Sequence, residues 1–467
     1  MRDAAMESLK SQLSTIRPMR QIGRISRAEA GMLHVSGLGR TAFLGDRLEL
    51  RMRHGTLGGE VLKISSDEVL MLPDAVPDGV RVGDAVTLLG PVDLAPDDSW
   101  IGRVVDPYGV PLDGRTLTRG ATARPIRRDP PPPGARAALG GRLETGMSVF
   151  NTFLPIVDGQ RIGLFAGSGV GKSSLLGHFA KRLESDVTVV ALVGERGREL
   201  REFIEETLGA EGLSRSIIVA ATSDQSPLSR RRCAWAAMAV AEHFRDQGRR
   251  VVFLADSITR FAEAHREIAV AAGEIPALRG YPPSTAHMIM QLCERAGPGP
   301  VGAGTITAVF SVLVAGSDVE EPIADILRGV LDGHVVLDRA IAERGRYPAV
   351  DLLRSVSRSL PKAATEVENA ILAEARALLA AYERSEMMIR AGLYTAGSDP
   401  QLDQAIQAFP ELDAFIGAAD DHGIDAAFNR LGQIVRRAAR PRGPAQRRMP
   451  PRDGGAPKPP GLPKRLG

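Results

Sequence analysis

The residues Gly167-Ser168-Gly169-Val170-Gly171-Lys172-Ser173, followed by Ser174, carry the chain's most specific chemistry. Glycines in such a loop let successive backbone N–H groups turn inward around a β-phosphate, where side chains would obstruct it. Lys172 has the reach for the β- and γ-phosphates, and the Ser173 hydroxyl suits Mg²⁺. An apolar run, Ile162 to Ala166, precedes the loop with strand character, and Lys172 opens a helix whose N-terminus adds positive potential. The strict pattern asks for glycine at 166, where this chain has alanine, a small residue that fits the turn. The alternative is a glycine-rich strand–helix turn with no ligand.

Two carboxylates fall where such a loop needs them. The segment VVFLADSITRF ends an apolar run at Asp256. An acid at the end of a buried strand is unfavourable unless its charge is matched, and Mg²⁺ beside a nucleotide matches it, here through water. A helix N-cap is the other role open to Asp256. The segment VGERGRE places Glu195 at the carboxyl end of a strand able to neighbour the phosphate loop, where ligands of such sheets bind. A carboxylate there can polarise water for in-line attack on a γ-phosphate. A surface Glu paired with Arg196 or Arg198 is the alternative.

The elements that must hold these groups alternate. Strands are predicted over 161–166, 187–193, 216–221, 251–255, 304–314 and 334–338, and helices over 172–184, 197–208, 229–247, 257–272 and 322–331. Alternation of this kind predicts an α/β domain, residues 146–360, with a parallel sheet covered by helices on both faces. Upstream, 19–92 has short apolar runs between glycine turns and predicts a small β-barrel. A proline- and glycine-rich connector spans 93–145. Residues 361–435 have Ala- and Leu-rich helical periodicity. Residues 436–467 form a basic, proline-rich tail predicted to be disordered. In 1–18, Met6, Leu9, Leu13 and Ile16 form one apolar stripe of a short helix that needs a partner surface.

Composition excludes several classes. The chain has 467 residues, 43% apolar and 25% charged, with net charge +3. Its length predicts more than one domain. Aromatics at 4% argue against a base-stacking surface. Two isolated cysteines, Cys233 and Cys293, make no disulfide framework and predict a reducing compartment. The scattered histidines predict no structural metal site. No apolar run reaches the roughly 18 residues of a membrane span, and the N-terminus lacks a signal-peptide layout, so a cytosolic protein is expected.

Six motifs, GLFAGSGVGKS, GERGREL, DSITRFAEAHREIA, RGYPPS, EPIADILRGVLDGHVVL and RGRYPAVDLLRSVSR, occur in that order. The set closely resembles the protein-export ATPases of bacterial flagella and type III secretion systems, relatives of the rotary ATP synthase β subunit, over roughly 20–430. The resemblance implies a RecA-like P-loop ATPase core, an N-terminal β-barrel and a C-terminal helical domain assembled as a homohexamer. It implies Mg²⁺-dependent hydrolysis of ATP to ADP and phosphate, with Lys172 and Ser173 as phosphate and Mg²⁺ binders. Glu195 matches the family's catalytic carboxylate, Arg196 the arginine beside it, and Asp256 the Walker B acid. Arg358 resembles an arginine finger that reaches the neighbouring subunit's nucleotide, its alternative being a salt-bridged arginine, and Tyr347 resembles the aromatic that stacks on adenine. The implied partners are a stator protein at the N-terminal helix, the export gate, chaperones and export substrates at the cytoplasmic face of the inner membrane. The segment STAHMIMQLCERAG (284–297) departs from the family's common form, and the basic tail is not a family feature.

Flagellar and virulence-type export ATPases share these motifs; GLFAGSGVGKSSLLG and AGLYTAGSDPQLDQAI favour the flagellar type. A Rho-like RNA motor would carry stacking aromatics in its barrel, where this chain offers only Phe43. A rotary synthase subunit would bear an acidic C-terminal lever, which 375–435 lacks. Nucleic acid is therefore not an expected partner.

Overall fold

A computed structural model describes residues 19–29, 31–53, 55–314 and 321–439. The expected N-terminal helix of 1–18 and nearly all of the basic tail lie outside the described residues.

The first six strands are β1 (Gln21–Glu29), β2 (Met32–Ser36), β3 (Arg47–Met52), β4 (Gly55–Ile64), β5 (Glu68–Pro73) and β6 (Ala85–Gly90). They close into an antiparallel barrel in the order β1-β2-β5-β4-β3-β6, with β6 returning to β1. Alternation along the strands sends Leu33, Val35, Val69 and Met71 inward, as the two-residue period of a half-buried strand requires.

The connector supplies β7 (Asp93–Leu94), paired with β9 (Arg124–Pro125), and β8 (Arg103–Val105), which joins the main sheet. That sheet contains β10 (Arg161–Ala166), β11 (Val187–Glu195), β12 (Ser216–Thr222), β13 (Arg250–Asp256), β14 (Gly297–Pro298), β15 (Thr305–Leu313), β16 (Gly333–Leu337) and β17 (Val350–Ser357). Its order is β17-β16-β10-β15-β13-β11-β12-β8, parallel throughout except for β17 at one edge, with β14 attached antiparallel to β15.

The central strands are buried on both faces, which is why β11 reads as a continuous apolar run. Val190 and Leu192 lie on one face, in the core that continues under the helix Lys172–Arg182 to the C-terminal helices. Val189, Ala191 and Val193 face the helices Pro227–Asp246, Ile258–Ala271 and Ser284–Arg295. The 284–297 segment is thus largely helix. It is anchored by Arg295, which is 2% exposed, pairs with both oxygens of Glu242 at 3.0 and 2.8 Å, and donates to the Ile126 carbonyl at 2.8 Å. Three helices end the described residues: Glu366–Arg390, opened by a Thr365/Glu368 capping box, Pro400–Gly417, and Ile424–Ala438, which extends past the predicted start of the tail. Among the described residues no helix is long and apolar enough to cross a membrane.

Candidate active site

The phosphate loop leaves β10 at Ala166 and enters the helix Lys172–Arg182. Gly169 and Gly171 hold φ of +77° and +88°, a region that disfavours any side chain. Gly171 is the helix N-cap and no side chain caps the helix, so the first-turn N–H groups are left for an anion. The loop, Lys172, Ser173 and Ser174 line a cleft of about 1160 Å³.

Lys172 Nζ contacts Asp256 Oδ1 and stands 4.0 Å from Glu195 Oε1. Asp256 ends β13 and is 3% exposed; Ser311 Oγ donates to its Oδ1 at 2.8 Å. The helix that follows is capped by Ser257, whose hydroxyl accepts from the Arg260 N–H. Asp256 is therefore not the cap, and its carboxylate is left to the cleft.

Glu195 does not lie on a strand beside the phosphate loop's own. Two strands, β15 and β13, separate β11 from β10, because parallel crossovers skip neighbours. The carboxylate still reaches the cleft because the β11/β12 register slips between Val193 and Glu195, around Gly194 at φ +68°. Burial, reinforced by the Asp256 charge against the pull of Lys172, pushes the Glu195 carboxyl up to about 7. Arg196 and Arg198 do not neutralise it. Their exposed side chains pair with Glu199 at 3.2 Å and Glu202 at 3.3 Å.

Tyr347 and Arg358 flank the edge strand β17. Val350 at its start pairs with Leu337, which is level with Ala166 at the phosphate-loop end. Tyr347 accordingly sits on the loop: a Cβ at Gly171 would lie 3.2 Å from its ring. Because β17 runs antiparallel, Arg358 emerges at the opposite end of the sheet, beside Gly333. It is exposed and donates to the Arg328 carbonyl at 2.9 Å. The structure brings Lys172, Glu195, Asp256 and Tyr347 together and leaves Arg358 remote from its own chain's cleft.

Sequence reasoning missed Ser311, the residue that orients Asp256, and Thr259, whose Oγ1 accepts from the Leu313 N–H at 2.9 Å. A hydroxyl in the otherwise apolar run AVFSVL was the available signal for Ser311. Arg260, which pairs with Glu263 at 2.8 Å on the cleft wall, was also passed over.

Residues 146–357 match the nucleotide-binding domain of the ATP synthase alpha/beta family, and 364–434 match the T3SS EscN ATPase C-terminal domain. The chain is 44% identical over 442 residues to the flagellum-specific ATP synthase of Caulobacter vibrioides, covering 92% of this chain and 99% of that one. It belongs to the family of flagellar and type III secretion ATPases. Other relatives in this family include the flagellum-specific ATP synthase of Salmonella typhimurium, 40% identical over 88% of this chain and 92% of that protein. The type 3 secretion system ATPase of Xanthomonas euvesicatoria is 40% identical over 89% of this chain and 93% of its own length. Among solved structures, the assembled ATPase EscN of the enteropathogenic E. coli type III secretion system aligns with TM-score 0.81 and 35% identity, over 88% of this chain and all of that one. The same values hold for EscN in complex with its central stalk EscO.

Proposed function

We propose that this chain is the ATPase of the flagellar protein-export apparatus, hydrolysing ATP to ADP and phosphate as a homohexamer at the cytoplasmic face of the inner membrane. The observation that carries the reading is the convergence of Lys172, Glu195 and Asp256 on one phosphate loop in a chain matched over 92% of its length by a flagellar relative. The type III secretion relative from Xanthomonas is 40% identical, so the virulence-type system is the second reading. The stator, export gate, chaperones and cargo are the partners this function requires.

The roles follow from position. The loop N–H groups and Lys172 hold the β- and γ-phosphates; Tyr347, lying against Gly171, supplies a face for the adenine. The Ser173 hydroxyl, open to the cleft, and the Asp256 carboxylate are hard oxygen donors of the kind Mg²⁺ takes. They would hold the ion, Asp256 through water, and the ion would neutralise charge on the phosphate oxygens. Glu195, ionised, accepts a proton from the attacking water. Arg196 lies at the cleft edge as a lesser contributor.

Arg358 supports assembly-dependent catalysis. It is too remote to serve its own cleft, and a trans arginine contributes on the order of 10³–10⁵ in rate where such fingers operate. The test is subunit mixing. Arg358→Ala and Lys172→Ala proteins should each be nearly inactive alone. Mixed equally, they should recover a measurable fraction of wild-type turnover, because some interfaces pair an intact loop with an intact finger. No recovery in mixtures shown to co-assemble would overturn the trans assignment.

A further inference from the structure

Barrel strand β4 buries a charge that the nucleotide site does not use. Glu60 is 3% exposed and receives Arg231 at 2.9 Å, Arg127 at 3.0 Å and Arg232 at 3.6 Å. Arg231 and Arg232 belong to the helix Pro227–Asp246 of the ATPase domain, so this cluster ties the barrel to the core. The other end of Arg231 continues the chain of contacts. Its Nη1 stands 3.5 Å from Nδ1 of His265, which is 6% exposed. His265 Nε2 is 2.8 Å from Ser284 Oγ, and that hydroxyl donates to Glu274 Oε2 at 2.7 Å.

The ends fix the direction of every proton. A carboxylate only accepts and a guanidinium only donates. Ser284 gives its hydrogen to Glu274, so it accepts from His265, whose Nε2 must carry the proton. Nδ1 is then a lone pair facing Arg231. Burial, and then the Arg231 charge, hold the imidazole neutral, with its pKa pushed down to about 4. The donors thus run outward from Arg231, one way to Glu60 on the barrel and the other through His265 and Ser284 to Glu274.

Those last two residues bracket the segment 275–283, which carries Arg279 and Tyr281 on the wall of the nucleotide cleft. Tyr281 packs under the Arg266 guanidinium, 5.2 Å from its ring centre. His265 itself lies on the helix Ile258–Ala271, which starts two residues after Asp256.

We propose that Glu60, Arg231, His265, Ser284 and Glu274 form a relay of positioning residues that couples the barrel seam to the lip of the nucleotide cleft. Nucleotide that settles the lip therefore tightens the barrel against the core, and by thermodynamic reciprocity barrel docking favours nucleotide. The inference rests on the nucleotide-binding reading of the cleft.

The test is hydrogen exchange on the full-length protein with and without ADP. Peptides covering 167–174 report nucleotide binding, and peptides covering Gly55–Ile64 report the seam. His265→Leu cuts the relay while leaving the Arg231–Glu60 and Ser284–Glu274 contacts in place. His265→Gln keeps one donor and one acceptor and should preserve it. ADP should slow exchange in Gly55–Ile64 by about fivefold or more in the wild type and in His265→Gln, the scale of an ordinary coupling between sites. It should leave that strand unchanged in His265→Leu, although 167–174 is protected in all three. Ser284→Ala cuts the next link and replaces His265→Leu if the latter unfolds. Equal protection of the barrel strand in cut and intact proteins, or none in the wild type, overturns the relay. No protection at 167–174 in the wild type would instead refute the nucleotide site itself.

Discussion

Replacing Glu195 by glutamine separates the residue's chemical role from its cost to the fold. Glu195→Gln keeps the shape and one acceptor oxygen but removes a carboxyl raised from 4.5 to about 7. The sign follows from linkage. Below the unfolded-state value of 4.5 the group is protonated in both states and contributes nothing. Between 4.5 and 7 the unfolded chain releases its proton first, so stability is lost as pH rises, and above 7 the loss is complete. A shift of this size corresponds to about 3 kcal/mol at pH 8 and under about 1 kcal/mol at pH 5. These are ceilings, because the side chain keeps 18% exposure. Thermal melting of nucleotide-free protein should therefore show the variant above the wild type by several degrees at pH 8 and by little at pH 5.

Catalysis should move the other way. Loss of a positioned base should lower turnover by roughly 10²–10⁴, while nucleotide binding, assigned above to Lys172 and the loop, should persist. Wild-type kcat/KM should climb through pH ~7 as Glu195 ionises in the free enzyme, and the variant should lack that limb. A Glu195→Gln protein that melts at the wild-type temperature at pH 8 would refute the burial argument. One that hydrolyses ATP normally would refute the base assignment.

Deleting residues 1–18 should abolish pull-down of the flagellar stator protein and leave ATP hydrolysis largely intact; unchanged capture refutes the assignment of the Met6, Leu9, Leu13 and Ile16 stripe. Truncation after residue 439, beyond the helix that ends at Ala438, should reduce co-sedimentation with anionic but not neutral vesicles at low salt. Each basic residue near such a surface contributes about 1 kcal/mol, screened by salt. Equal sedimentation of full-length and truncated protein removes the membrane-tether role of the tail.

What was legible in the sequence was local. The phosphate loop, the buried strands β10 to β13 and the acid ending β13 announce themselves because a parallel sheet writes continuous apolar runs, and a phosphate cradle needs glycine at fixed places. Elements whose stability comes from neighbours were not legible. β8 is three residues inside a proline- and glycine-rich connector and is a strand only because β12 offers it an edge. β17 reads VDLLRSVS; Arg354 interrupts its apolar pattern because an edge strand is only half covered, and Ser355 does so because its buried hydroxyl accepts from the Val336 N–H across the irregular β16/β17 pairing. Strand order was hidden too, so Glu195 reached the cleft by a bulge rather than by adjacency.

The reversal at β17 has the largest functional consequence. In a wholly parallel sheet, residues at the carboxyl ends of strands converge on one cleft. An antiparallel edge strand breaks that rule and sends its two flanks to opposite ends of the sheet. Tyr347 enters β17 on the phosphate loop of its own chain, and Arg358 leaves it at the far end, exposed. On the proposed function, a short segment thereby carries one side chain for its own nucleotide site and one for another copy's. Under that proposal assembly dependence would follow from the direction of a single strand, and the subunit-mixing experiment tests that direction as much as it tests the arginine.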